Sequence, residues 1–171
     1  MSFWKHCYHI VWATKGREPL ILPAIEPRLY AYIAHKAGEL DVFLYAIGGT
    51  EDHMHIIPAI PPKHSVAWVM KVLKGASAHF VNTELRPSGL HFAWQRGYGS
   101  LTVGERQRAV AMDYVLRQKE HHQQQTTNVW LERCGDEEDQ GKSEDDGDVS
   151  PTSPALRETI TDYEIAFDLP W

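Results

Sequence analysis

Asp41-Val42-Phe43-Leu44-Tyr45-Ala46-Ile47-Gly48-Gly49-Thr50-Glu51-Asp52-His53-Met54-His55-Ile56-Ile57-Pro58-Ala59-Ile60 is the stretch on which the fold turns. Two apolar, β-branched and aromatic runs flank a glycine and acidic turn, the pattern of a β-hairpin. We read strands over 41–48 and 53–60, with a turn at 49–52 and Pro58, Pro61 and Pro62 marking the end of the second. Side chains alternate between the faces of a strand. His53 and His55 therefore leave one face together, and Met54 and Ile56 leave the other. Neutral imidazole is the commonest protein metal ligand, so the pair is a compact way to present two donors. Histidines in strands are also often satisfied by local hydrogen bonds, and the pair alone does not decide between these readings.

Working outward, residues 6–14 read as a strand, and 25–39 as a helix carrying Leu29, Tyr30, Ile33, Ala34 and Ala37 at helical spacing. Residues 65–82 read as a second helix with Val66, Val69, Met70, Leu73, Ser77 and Phe80 on one stripe, 91–103 as an aromatic strand region, and 105–122 as a third helix. The order βαββαβα predicts an α+β, ferredoxin-like βαββαβ antiparallel sheet, with an added C-terminal helix that bears a tyrosine. On that helix Tyr114 and Gln118 lie one turn apart on one face. Ala109, Met112 and Leu116 fall on the opposite side, which predicts that Tyr114 points away from the core-facing stripe.

A chain of 171 residues accommodates one domain and a tail. Two cysteines, Cys7 and Cys134, exclude a disulfide framework and a four-cysteine zinc site. No stretch reaches membrane-spanning length and the N-terminus lacks a signal-peptide pattern, so a cytoplasmic protein with no membrane partner is expected. Charge is segregated. Residues 1–133 hold 15 Lys+Arg against 11 Asp+Glu and all ten histidines, whereas 134–171 hold 2 against 12. We divide the chain accordingly into a catalytic domain over 1–133, an acidic disordered linker over 134–154, and a short amphipathic segment over 155–171 marked by Leu156, Ile160, Tyr163 and Phe167.

A tyrosine opposite a weak divalent-cation site suits phosphoryl transfer. A phenol with a pKa near 10 is a poor nucleophile toward carbonyls but an adequate one toward a polarised phosphodiester. Four blocks then carry a resemblance. They are Asp52-His53-Met54-His55, Lys74-Gly75, Trp94-Gln95-Arg96-Gly97-Tyr98-Gly99, and Tyr114-Val115-Leu116-Arg117-Gln118-Lys119-Glu120-His121-His122, preceded by Tyr8-His9-Ile10-Val11-Trp12-Ala13-Thr14-Lys15. In this order they resemble the single-tyrosine HUH transposases of the insertion sequence 200/605 type. The resemblance implies a catalytic Tyr114 forming a 5′-phosphotyrosine bond with single-stranded DNA, often an imperfect hairpin at an element's end. It implies Mg²⁺ or Mn²⁺ held by His53, His55 and Gln118, and a homodimer. An ordinary imidazole pKa would place the acid limb of activity near 6.5. For DNA contacts we select Lys71, Lys74 and Arg96, with Trp94 and Tyr98 able to stack on bases or to fill the core.

Two rival readings have different signatures. Replication initiators and relaxases share the histidine motif but usually carry longer chains or paired tyrosines. A non-catalytic ferredoxin-like module, including a domesticated one that no longer mobilises DNA, would bind nucleic acid through sheet aromatics and would need none of His53, His55, Tyr114 and Gln118 together.

Overall fold

A computed structural model of the chain describes residues 3–85, 89 and 91–135. The expected acidic linker and amphipathic C-terminal segment lie outside these residues, apart from Cys134 and Gly135. Strand β1 (Tyr8–Ala13) leads through a short 3₁₀ turn at Lys15–Arg17 to helix α1 (Glu26–Glu39). The hairpin β2 (Phe43–Gly49) and β3 (His53–Ala59) follows, then α2 (Val66–Phe80), which runs on into a π-helical turn at Val81–Leu85. Strand β4 (Gly99–Thr102) precedes two short helices, α3 (Arg108–Leu116) and α4 (Gln118–Gln124). The four strands form one antiparallel sheet in the order β2-β3-β1-β4, the ferredoxin-like plan.

Alternation sorts the sheet into two faces. Ile10, Trp12, Met54 and Ile56 point to one side and meet Leu29 and Ile33 of α1 and Val69, Met70 and Leu73 of α2 in the main core. Ser65 caps α2 by accepting a hydrogen bond from the Trp68 N–H. The other face carries His9, Val11 and Ala13 of β1 and His53, His55 and Ile57 of β3. It is covered as well: Ala111 and Val115 of α3 pack with Cys7, Ala46, Ile57 and Val103. Cys134 closes over Val11 and Ala13. With both faces covered, all seven residues of β3 are buried.

Three sequence expectations change. Pro58 does not end β3 but sits within it, opposite Leu44, where the register slips between Leu44 and Ala46. A bulge is one of the few places a sheet accepts a residue without an N–H. The broad fourth strand shrinks to Gly99–Thr102, and Trp94 makes only an isolated bridge to Thr14. The third helix breaks at Arg117 (φ −105°, ψ 21°) into α3 and α4.

Its inward face also differs from expectation. Ala111, Tyr114, Val115 and Gln118 are buried, whereas Leu116 is 63% exposed and Ala109 is exposed. The wheel assigned the core side to the most apolar residues. The second sheet face is lined partly by imidazoles, and it selects the stripe with a phenol and an amide instead. Gly48 makes this packing close: a Cβ there would lie 2.1 Å from the Val115 carbonyl oxygen. Gly48→Ala is therefore expected to push α3 off the sheet and cost roughly 1–3 kcal/mol, read as a lowered midpoint in denaturant unfolding.

Candidate active site

The hairpin turn fixes the first imidazole. Thr50 Oγ1 donates to Asp52 Oδ1 (2.8 Å), and Asp52 Oδ1 lies 2.6 Å from His53 Nδ1. This is the carboxylate–imidazole pairing that orients metal-binding histidines. His55, two residues on and fully buried, has its Nδ1 3.0 Å from His9 Nε2 on the neighbouring strand. The Nε2 atoms of His53 and His55 thereby turn into the space under α3.

Tyr114 and Gln118 reach that space from above. The Tyr114 ring stands edge-on to His55, with centroids 6.2 Å apart, and stacks on His121 at 4.7 Å. Its hydroxyl accepts from the Asn128 N–H (3.1 Å) and donates a short hydrogen bond to Glu132 Oε1. The other carboxylate oxygen, Oε2, lies 3.0 Å from His53 Nε2, 3.2 Å from His55 Nε2 and 3.6 Å from His122 Nε2. These contacts are ionic in distance but not aligned as hydrogen bonds. Both Nε2 atoms and Gln118 Oε1 consequently have no hydrogen-bond partner although buried.

Charge follows from this layout. Burial opposes ionisation of Glu132, but His53, His55 and Tyr114 outweigh it and hold the carboxyl far below the usual range. Burial likewise opposes a charge on His53, yet Asp52 and Glu132 together raise its pKa to about 9. Burial dominates at His55 and keeps it neutral. Burial and the adjacent Glu132 carboxylate push the Tyr114 phenol above its ordinary value.

The donor set fits a divalent cation. Two imidazole nitrogens and an amide oxygen are left without partners in a buried space, and a carboxylate oxygen lies beside them. Donors bound at about 2.1 Å in an octahedron stand roughly 3.0 Å apart, close to the His53–Glu132 and His55–Glu132 separations. His53, His122 and Glu132 alone bring three ligand atoms within 4.8 Å of one another. Imidazole and amide donors favour Mn²⁺ over Mg²⁺.

The chain as a whole points the same way as the site. The family model of IS200-like transposases matches residues 2–118. The chain belongs to the IS200-like transposase family. The transposase is 33% identical over 123 residues to the Salmonella typhimurium transposase for insertion sequence element IS200, covering 68% of this chain and 79% of that one. It is 27% identical over 115 residues to the ISDra2 transposase TnpA of Deinococcus radiodurans, covering 65% and 82%. A crystal structure from Deinococcus radiodurans R1, described as a candidate transposase, superposes with a TM-score of 0.54 at 29% identity over 67% of this chain and 91% of that one. A REP-associated tyrosine transposase bound to a REP hairpin shares the fold, with a TM-score of 0.53 at 14% identity over 76% and 73%.

The structure places Tyr114 beside His55 and Gln118 beside Tyr114. Among the described residues, the three histidine and acidic ligand atoms that lie within 4.8 Å of one another belong to His53, His122 and Glu132, a set that includes His53 but not His55. It separates the three basic residues selected for DNA. Lys71 and Arg96 are exposed. Lys74 instead spends its ammonium on the carbonyls of Gln95 (2.7 Å), Arg96 (2.9 Å) and Gly97 (2.7 Å), and burial lowers its pKa to about 8. Trp94 packs against Trp12 and Phe92 and donates to Ser77, a core role. Sequence reasoning missed Glu132 and His9 as parts of the site. Glu132 follows the last helix in a segment with no periodicity. His9 left one signal, a polar residue among the apolar ones of β1.

The raised His53 pKa sets a pH dependence. The imidazolium's stabilising contribution is complete below the ordinary value of 6.5 and is lost as pH rises through about 9. In excess chelator the melting temperature should fall from about pH 7 to pH 8, below the range in which deprotonation of the buried Lys74 acts in the opposite sense, and His53→Gln should flatten that fall. Cation binding needs neutral His53 and should strengthen over the same interval.

Proposed function

We propose that this transposase cleaves and rejoins single-stranded DNA with Tyr114 as nucleophile and a divalent cation held by His53, His55 and Gln118. The observation that carries the reading is the convergence of the Tyr114 hydroxyl and two imidazoles on one half-buried anion, the Glu132 carboxylate. A site that binds an oxyanion between a phenol and cation ligands is built for a phosphodiester. Bound there, Mg²⁺ or Mn²⁺ would supply Lewis-acid polarisation of the scissile phosphate.

The chain's own residues do the rest. Tyr114 Oη attacks phosphorus as its proton passes to water, the phosphorus–Oη bond forms, the bond to the 3′ oxygen breaks, and that oxygen takes a proton from water to leave as a 3′-hydroxyl. The 5′-phosphotyrosine ester preserves the bond energy, so attack by a 3′-hydroxyl reverses the step. Glu132 stands in for the phosphate: Oε1 takes the hydrogen bond of the attacking phenol, and Oε2 lies against the cation ligands. In this arrangement the phenol is held neutral, and the scissile phosphate must displace the carboxylate. Asp52 and Thr50 keep His53 oriented throughout. Lys71 and Arg96 are the exposed cations that would meet the DNA backbone, and Lys74 holds the backbone on which Arg96 is mounted. The expected hairpin at an element's end and the expected homodimer are part of this proposal. In this proposal the site is assembled within one chain, on the ground that Tyr114 stands edge-on to His55 of the same chain with ring centroids 6.2 Å apart.

Labelled hairpin-bearing single strands incubated with the protein and Mn²⁺ should give a denaturation-resistant adduct that Tyr114→Phe abolishes; an equal adduct from Tyr114→Phe refutes the assignment. Mixing Tyr114→Phe with a His53→Ala, His55→Ala double variant should restore no cleavage, because neither chain holds a whole site.

Glu132→Ala should raise adduct formation several-fold at subsaturating DNA, since no carboxylate then has to be displaced. A lowered yield with an unchanged melting temperature would instead make Glu132 a participant in the chemistry.

A further inference from the structure

His9 is a polar residue in an otherwise apolar strand, and it is 2% exposed. Burying an imidazole costs free energy unless it is hydrogen-bonded. Its partner is His55: His9 Nε2 lies 3.0 Å from His55 Nδ1, with the rings inclined by only 21°. The same ring presents an edge to Tyr114, with centroids 6.4 Å apart. His9 thus touches both the proposed cation ligand and the proposed nucleophile.

One proton lies between the two nitrogens, and its position decides what His55 can do. A proton on His9 Nε2 makes His55 Nδ1 an acceptor, and neutral His55 then carries its own proton on Nε2, where a ligand needs a lone pair. A proton on His55 Nδ1 makes His9 the acceptor and leaves His55 Nε2 bare. His55 Nε2 lies 3.2 Å from the Glu132 carboxylate, out of line with it; once another anion and a cation take that carboxylate's place, a proton on Nε2 would have no acceptor and would block the ion. The ring partner of a metal-ligating histidine is usually a carboxylate, a carbonyl or water. His53 has a carboxylate, Asp52. His55 has His9.

We propose that His9 is the positioning residue of the cation site: its Nε2 accepts the Nδ1–H of His55 and so directs the His55 Nε2 lone pair at the ion. This rests on the reading that His53 and His55 hold a divalent cation. A neutral imidazole does the orienting that Asp52 does for His53 without adding a second negative charge beneath the scissile phosphate.

The test uses the full chain with Mn²⁺ as probe, free Mn²⁺ being counted by electron paramagnetic resonance. Melting curves run in parallel. His9→Leu should weaken Mn²⁺ binding on the order of 10- to 100-fold. His9→Gln, whose amide reaches the position of Nε2 and can accept, should recover most of it. Long-range ¹⁵N–¹H spectra of metal-free Glu132→Ala, in which no carboxylate faces His55 Nε2, should show His55 protonated on Nδ1, and adding His9→Leu to that variant should give a mixture of tautomers. Unchanged Mn²⁺ affinity in folded His9→Leu, or His55 protonated on Nε2 in Glu132→Ala, would overturn the inference and leave the cation reading standing. Failure of the wild type itself to bind Mn²⁺ would overturn both. If His9→Leu does not fold, His9→Gln and the Glu132→Ala tautomer decide the matter.

Discussion

Two imidazoles side by side on a strand that is buried on both faces set the terms for the rest of this molecule. Alternation alone sends His53 and His55 to the same side of β3, and burial then denies them water. Each Nδ1 finds its partner inside the sheet layer, Asp52 for one and His9 for the other. The two Nε2 atoms face the covering layer, and that layer must answer them with polar groups. This explains why α3 and the start of α4 turn Tyr114 and Gln118 inward when a more apolar stripe was available on α3. It also explains the burial of Glu132, which without its imidazoles would be a costly isolated charge.

How much of this the sequence disclosed depends on whether a feature is carried by local periodicity. α1 and α2 each bury one face, and their apolar spacing shows it; the hairpin shows as two apolar runs around a turn. The sheet order follows from the split βαβ plan once the strands are placed. The second layer is another matter. Its inward residues are chosen by complementarity to imidazoles two strands away, and no spacing rule within 105–122 registers that. Counting hydrophobicity put Leu116 inside and Tyr114 outside, the reverse of the structure. Tyr114 and Gln118 were still legible as a pair, because one helical turn separates them whichever way the face points. Glu132 was not, because it belongs to a segment whose placement comes wholly from tertiary contacts. Pro58 misled for a related reason: its tolerance inside β3 depends on a bulge in a different strand.

Lys74 shows how a basic residue in a matched motif can serve a nucleic-acid site indirectly. Its three donors are taken by consecutive carbonyls of residues 95–97, and three backbone acceptors converging on one ammonium define a tight loop. The same loop places Gln95, whose side-chain amide donates to the Gly135 carbonyl (3.0 Å). Arg17 donates to Cys134 Sγ (3.1 Å) and pairs with Asp52. The segment that carries Glu132 is therefore tied at its far end to the loop organised by Lys74 and to the arginine that contacts the His53 orienter. Motif positions that look like separate DNA contacts are joined into one support for the site.

That support bears on how the site opens. A buried network in which a carboxylate is shared by a phenol and two imidazoles is strong only while every member is present, since removing one partner leaves the others unpaired in a low-dielectric space. On the proposed function, a cation entering alone would use the Glu132 carboxylate as a further donor and give the unpartnered Nε2 and Oε1 atoms a ligand, and a phosphodiester would then take the carboxylate's place. That exchange preserves the count of satisfied groups, whereas simple withdrawal of Glu132 into water does not. The ties at Gln95 and Arg17 need not break for this: Glu132 reaches the site through its own rotatable side chain, and a change of rotamer suffices to vacate the phosphate position. On the proposed function, the constraint that began with two histidines on one face of β3 ends as a preference for an oxyanion at the position the Glu132 carboxylate now holds.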